Sequence, residues 1–201
     1  MKKHSSSTWP SVMATVALHH FSRLRHQRIA QLLQAFDADF LNEAQCYLAG
    51  DTPIVLQLAE YRESTDVVFQ CASLEGFRSL RSEVGKSLGP VLRAPIPHAR
   101  PIRTNQYKIH AVLAIEDALV QVQFVRVEGT PWRGAMDDAL AVPVLSRVDL
   151  WVQKLMAFSN RPLDVSTLGR DLVDVAMMAR GWGPVPGEAL QKHHREALRA
   201  A

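Results

Sequence analysis

Cysteine is scarce in this sequence. The 201-residue chain has two, Cys46 and Cys71. No zinc-type spacing exists, and both stand beside predicted strands, so buried free thiols in a reducing, cytoplasmic setting are expected rather than a disulfide. Long apolar runs are absent too. No stretch approaches the roughly 20 residues of a membrane span, so no membrane partner is expected. Residues Met1 to Ser11 are polar and serine-rich, without the apolar centre of a secretory signal. No acidic residue precedes Asp37, whereas Lys2, Lys3, Arg23, Arg25 and Arg28 do. Two readings of that basic segment stay open, a contact face for RNA and an ordinary solvated helix face. There is no P-loop and no Ser-His-Asp spacing. The pairs His19-His20 and His193-His194 are adjacent residues, which do not share a helix face, so they form no metal set.

What remains is an ordinary globular composition. The hydrophobic share is 47%, the net charge is +3 and the pI is about 9.1, a mildly basic balance that suits an anionic partner. Phe21, Leu24, Ile29, Leu32, Leu33 and Phe36 fit an amphipathic helix from Leu18 to Phe36. Asp37 or Asp39 can cap a short second helix. Ser73 caps another, which runs to Lys86 and stops at Gly89-Pro90. The stretch Pro90 to Arg103, rich in Pro and Arg, reads as irregular. Tyr107–Glu116 and Leu119–Val127 read as a hairpin, the second strand carrying Gln121, Gln123, Val125 and Val127 on one face. Thr130 to Ala141 reads as a loop. A short strand, Ala141 to Val144, leads into Ser146-x-x-Asp149, a capping box with Asp in place of Glu. Helices follow to Asn160 and from Ser166 or Thr167 to Arg180. The tail helix, Glu188 to Ala200, has few large apolar residues and is expected to dock loosely. The sum is an α/β (α+β) chain, a mixed sheet flanked by helices. Its expected parts are a disordered basic N-terminus at 1–17, a core at 18–145 and a helical C-terminal part at 146–201.

The stretch Cys46 to Gln70 organises the rest. Cys46–Ala49 reads as a strand ending at Gly50, Thr52-Pro53 opens a helix, and Asp66-Val67-Val68-Phe69 returns as a buried strand. A glycine turn at a helix N-terminus, with a carboxylate on the next strand, can hold a phosphate against a metal ion.

Those residues resemble the nucleotidyltransferases of the AbiEii/AbiGii toxin family. The family's pattern is a glycine turn, a Tyr-Arg-x-Ser-like segment and a strand reading Asp-x-Asp-Phe. Here it stands as Gly50-Asp51-Thr52, Tyr61-Arg62-Glu63-Ser64 and Asp66-Val67-Val68-Phe69. Further on, Lys154 to Arg161 resembles the family's Lys-Leu-x-Ala segment, and Arg170-Asp171-Leu172-Val173-Asp174 its Arg-Asp-x-x-Asp helix. The resemblance implies a nucleotidyltransferase-like fold, a nucleoside triphosphate as substrate, Mg2+ as cofactor, transfer RNA or another RNA as acceptor, and a cognate antitoxin as partner. By the same resemblance Asp66, Lys154 and Asp171 are the catalytic candidates, with Asp66 the metal ligand. Gly50, Thr52, Arg62 and Ser64 are the nucleotide-binding candidates. Lys154 would neutralise triphosphate charge, and Asp171 would orient that lysine or the attacking hydroxyl. The sequence departs from the pattern where Val68 and Gln123 replace expected carboxylates, and where Asp51 adds a negative charge to the phosphate turn. Two functions therefore stay open: nucleotide transfer of weakened rate, and a catalytically inactive relative that binds nucleotide, RNA or a protein.

Overall fold

The computed structural model describes residues 21–85, 87–127, 131–160 and 165–200. The expected arm at 1–17, the pair His19-His20 and residues 161–164 lie outside them. Helices α1 (Leu24–Ala35) and α2 (Ala38–Glu43) precede strand β1 (Cys46–Ala49), helix α3 (Asp51–Gln57), strand β2 (Asp66–Cys71) and helix α4 (Leu74–Glu83). Strands β3 (His98–Thr104), β4 (Lys108–Ile115), β5 (Ala118–Arg126), β6 (Gly134–Asp137) and β7 (Val142–Leu145) follow, then helices α5 (Arg147–Asn160), α6 (Val165–Trp182) and α7 (Gly187–Ala200). The strands form one seven-stranded sheet in the order β3-β4-β5-β2-β1-β7-β6. Pairing is antiparallel except for β2 with β5 and β1 with β7, which are parallel.

Alternation along β2 and β5 sorts the sheet into two faces. Val67, Phe69 and Cys71 of β2, and Val120, Val122 and Phe124 of β5, are buried against α1 and α4. Phe69 and Phe124 stack with centroids 5.0 Å apart, and Phe36 meets Phe69 edge-on at 5.1 Å. Such aromatic pairs add about 0.5–1.5 kcal/mol beyond their burial. Asp66, Val68 and Gln70, with Gln121 and Gln123 beside them, point to the opposite face, where the site lies. Cys46 and Cys71 are Cα partners across β1 and β2 and remain buried free thiols.

Several expectations change. The hairpin is present as β4 and β5. The Pro/Arg-rich stretch, read as irregular, contributes β3. Pro101 lacks an N–H for the ladder and is tolerated because β3 is an edge strand with a register shift between Arg100 and Arg103. Residues 134–137, read as loop, form the other edge strand, β6. Gly134 admits it, since a Cβ there would stand 2.4 Å from Tyr47 Cδ1 and 2.5 Å from the Val144 carbonyl oxygen. Asp37 caps α2 by accepting the Phe40 N–H, and Ser73 caps α4 through the Gly76 N–H. At α5, Ser146 Oγ accepts the Asp149 N–H, but Asp149 does not close the box. Its carboxylate accepts the Arg133 N–H at 2.7 Å and Lys192 Nζ at 2.5 Å.

Of the basic N-terminal segment, Arg23, Arg25 and Arg28 are neither free nor simply solvated, and Lys2 and Lys3 lie outside the described residues. Arg28 pairs with Glu116 and Asp117 at 2.6 and 3.0 Å. Arg25 donates to the carbonyls of Thr65 and Leu119, and Arg23 to that of Glu60. The offsetting acids are remote in sequence, which is why a local charge count did not find them. Glu60 also accepts the N–H groups of Ser22 and Arg23 and bonds the wholly buried His26. Burial alone would raise the Glu60 carboxyl, but those donors hold it down to about 2. His26 Nε2 accepts the Ser64 N–H, so Nδ1 carries the proton toward Glu60.

The tail helix α7 is anchored rather than loosely docked, and by polar groups. Lys192 is 6% exposed, bonds Asp149 and the Pro131 carbonyl, and lies 4.9 Å from the centre of the Trp132 ring. Its apolar anchor is small, Ala189, while Leu190 and Leu198 face solvent. Replacing Lys192 with Met leaves Asp149 buried without its cation. The expected cost is about 3–5 kcal/mol in a urea unfolding titration. A loss below about 1 kcal/mol would place α7 among weakly held surface elements.

Candidate functional site

β1 is four residues long, all buried, and ends at Gly50, whose φ of 72° and ψ of −148° favour glycine. A Cβ at Gly50 would stand 3.9 Å from Val68 Cβ, so the turn lies over the site face of β2. Gly50, not Thr52, is the N-cap of α3. Its N–H is already taken by Gln153 Oε1 at 3.0 Å. Thr52 and Ser64 are each 2% exposed and their hydroxyls bond one another at 2.7 Å. Thr52 also donates to the Asp66 carbonyl. These two nucleotide-binding candidates therefore knit the turn to β2, and neither lines the groove.

Behind the turn sits a cluster of charges. Lys154, from α5, bonds Asp51, Asp171 at 3.0 Å and Asp174 at 2.5 Å. Arg62 reaches Asp51 at 2.7 Å and grips both carboxylate oxygens of Asp174 at 2.7 Å. The Tyr61 hydroxyl donates to Asp174 at 2.5 Å. Asp174 is wholly buried, and Asp171 and Lys154 are 6% and 4% exposed. Burial would raise the Asp51 carboxyl, but Lys154 and Arg62 hold it below the usual carboxylate range. Burial would lower the Lys154 ammonium, but Asp51 and Asp174 hold it above its ordinary value. No ion pair ties Asp66 among the described residues; burial and then the Asp51 charge push its carboxyl up, against the weaker pull of Arg62 and Arg170.

A cavity of about 470 Å³ opens beside the cluster, lined among others by Gly50, Asp51, Asp66, Lys154, Arg170 and Asp171. The three catalytic candidates thus border one groove. Gln70, Trp132 and Gln153 border it too, and sequence reasoning did not single them out. Gln70 was within reach, because it falls on the Asp66 face by strand alternation. Trp132 gave no local signal. Among the described residues, Gln70 Oε1, Trp132 Nε1 and Asp171 Oδ2 are buried atoms without a hydrogen-bond partner, and all three residues line the cavity. Three carboxylates there meet two cations, so the charged lining is net negative.

The donor set decides how well the site fits a divalent ion. Asp51, Asp171 and Asp174 bring carboxylate oxygens within 4.8 Å of one another. That cluster is already filled by the Lys154 ammonium and flanked by Arg62. On the sheet, Asp66 pairs with Gln121, and Val68 with Gln123 as Cα partners. The two positions that lack the expected carboxylates are therefore direct neighbours across β2 and β5. Magnesium takes oxygen ligands, usually one or two carboxylates plus substrate phosphates. Asp66 is the one carboxylate the described strands present at the groove, and this set does not fit a two-metal transfer centre.

A glycine turn, a returning Asp-x-x-Phe strand and a Lys/Asp pair from two C-terminal helices, all around one end of a mixed sheet, define a nucleotidyltransferase-like protein. The family model described as nucleotidyl transferase AbiEii toxin, type IV TA system, matches residues 31–201, and the chain belongs to that family. Among solved structures, an H. pylori protein assigned as a nucleotidyltransferase superposes with a TM-score of 0.53 at 15% identity, over 79% of this chain and 68% of that one. An antigenic nucleotidyltransferase-like protein from Paracoccidioides brasiliensis gives a TM-score of 0.49 at 11% identity, over 86% and 88%. No curated protein matches the sequence significantly.

Proposed function

We propose that this AbiEii-family chain binds a nucleotide in the groove and has lost metal-dependent nucleotidyl transfer. The observation that carries the reading is the Val68–Gln123 pair beside Asp66, which leaves adjacent strands without two carboxylates, one replaced by an apolar side chain and one by a neutral, weaker amide oxygen. The unpartnered Trp132 N–H and the Gln70 and Asp171 oxygens favour a ligand that both donates and accepts, as the edge of a nucleobase does. The triphosphate end gains little, because the Gly50 N–H is occupied and Lys154 and Arg62 are already neutralised. The test is calorimetric titration with each common nucleoside triphosphate, with and without Mg2+. Binding that changes less than about threefold with the metal is the expected result. A gain above about tenfold would overturn it, since that is the behaviour of a working metal site.

A second reading, transfer of a nucleotide to an RNA acceptor such as tRNA by a toxin held in check by an antitoxin, is favoured by Asp66, Lys154 and Asp171 bordering one groove. Under it Asp66 holds Mg2+, Lys154 faces the triphosphate and Asp171 orients the lysine. Incorporation of label from an α-labelled triphosphate into tRNA decides for this reading. Under either reading the protein works in the cytoplasm, a setting that suits two buried free thiols. No described helix is long and apolar enough to cross a membrane.

A further inference from the structure

Between Glu83 and Glu116 the sequence has no acidic residue, while Lys86, Arg93, Arg100, Arg103 and Lys108 fall there with His98 and His110. Much of this stretch becomes β3 and β4, the outer strands on one side of the sheet. The register shift in β3 has a particular effect. Arg100 pairs with Val112 and Arg103 with His110, so arginines three apart align with residues two apart and lie on one face. That face is the site face. Arg103, His110, Gln123 and Val68 are successive Cα partners on β3, β4, β5 and β2. Arg100, Val112, Gln121 and Asp66 form the next row. At the spacing of paired strands, Arg103 is about 14 Å from Val68. A cationic edge therefore continues into an amide-bearing surface that ends at the groove.

The arginines here differ from those of α1. Arg23, Arg25 and Arg28 are bound to acceptors within the fold. Arg100 and Arg103 are exposed, and no ion pair ties either of them among the described residues. A charge left unneutralised beside an exposed amide, Gln121, and a half-buried one, Gln123, is suited to an external anion.

We infer that this face, from Arg100 and Arg103 to Gln121 and Gln123, docks the backbone of single-stranded RNA and leads it toward the groove. Arginines supply phosphate contacts, and the amide N–H groups of Gln121, whose Oε1 is already 3.3 Å from His110 Nε2, and of Gln123 supply hydrogen bonds that sugar hydroxyls and base edges complete. An acidic protein is the poorer fit. Protein interfaces centre on large apolar anchors, and Leu119, at the end of β5, is the large exposed apolar side chain that this face offers among the described residues. The inference deepens the second reading above by giving its RNA a docking surface, and it rests on the fold and the surface charge, not on transfer activity.

The test is fluorescence anisotropy of a labelled oligouridylate across a salt series. It compares the native chain, an Arg100→Glu/Arg103→Glu variant, and an Arg78→Glu/Arg81→Glu variant with the same charge change on exposed positions of α4. The β3 variant is expected to bind about tenfold or more weakly, with a salt slope smaller by about 1.4 for two lost phosphate contacts. The α4 variant should stay within about twofold of native. Equal losses in both variants, or polyglutamate binding as tightly as RNA, would overturn the assignment. Equal binding of oligothymidylate would overturn its restriction to RNA. Should the β3 variant fail to fold, Arg100→Gln/Arg103→Gln carries the same comparison. Nucleotide titration of the same samples separates the two ideas: a native chain that binds RNA but no nucleotide sinks the groove reading alone.

Discussion

Replacing Lys154 with Met is expected to cost about 3–5 kcal/mol of stability at neutral pH, because it leaves buried carboxylates without their shared cation. Asp51, Asp171 and Asp174 all bond Lys154 Nζ, and Arg62 alone cannot satisfy the three. The pH dependence follows from the shifts. The Asp51 carboxyl is held low in the fold, so its contribution is full above its ordinary pKa and fades as the pH falls through the folded value. The Lys154 ammonium is held high, so its contribution is full below its ordinary pKa and fades as the pH rises through the folded value. The native pair is therefore intact across the neutral range. In the variant the carboxylates repel one another and bind protons more readily, so the deficit shrinks toward about pH 5. Urea titrations at pH 8 and pH 5 measure this; equal deficits would mean that Lys154 only fills space. The vacated position should also take a divalent ion, since the acidic oxygens stand within 4.8 Å of one another. Millimolar Mn2+ is expected to raise the melting temperature of the variant and not of the native chain.

Restoring the two absent carboxylates, Val68→Asp with Gln123→Glu, is expected to make nucleotide binding respond to Mg2+ by about tenfold or more. The positions are adjacent across β2 and β5 and share the face of Asp66, so the three acids would stand side by side on the sheet face from which Asp66 borders the groove. Asp51 is best left unchanged, because it holds both Lys154 and Arg62. Without metal the double variant should be less stable by about 1–2 kcal/mol, through repulsion among carboxylates. Titration of nucleotide with and without Mg2+ is again the measurement. An unchanged response would show that the groove rejects a metal-bound triphosphate for reasons beyond its ligands.

Much of the fold could be read from local pattern. The strand–turn–helix–strand of Cys46 to Gln70, the β4–β5 hairpin and the caps at Asp37 and Ser73 depend on neighbours a few residues away. The two edge strands did not yield to that approach. Pro101 argues against a strand unless the chain is known to run along an edge, and Gly134 has its reason in Tyr47, far away in sequence. The site was half legible. Asp66, Lys154 and Asp171 were picked out, and they border one groove. Asp51 was read as a charge that repels phosphate from the turn; in the fold it is bound to Lys154 and Arg62. The ion pairs of Arg28 and Lys192 were missed for a similar reason, because their acids come from remote segments and only folding brings them together.

The parallel pairing of β1 with β7 also has a consequence for biogenesis. On the ribosome β1 can pair with β2 almost at once, but its other flank waits for Val142–Leu145 to be made. At synthesis rates of ~5–20 residues per second, that interval lasts roughly 5 to 20 seconds. Throughout it, Cys46–Ala49, whose four residues are all buried in the finished sheet, presents an unpaired apolar edge. Such an edge recruits other strands. The nascent chain is thus most prone to aggregate before its last strand emerges, and a ribosome stalled within the β4–β5 hairpin would hold it in that state.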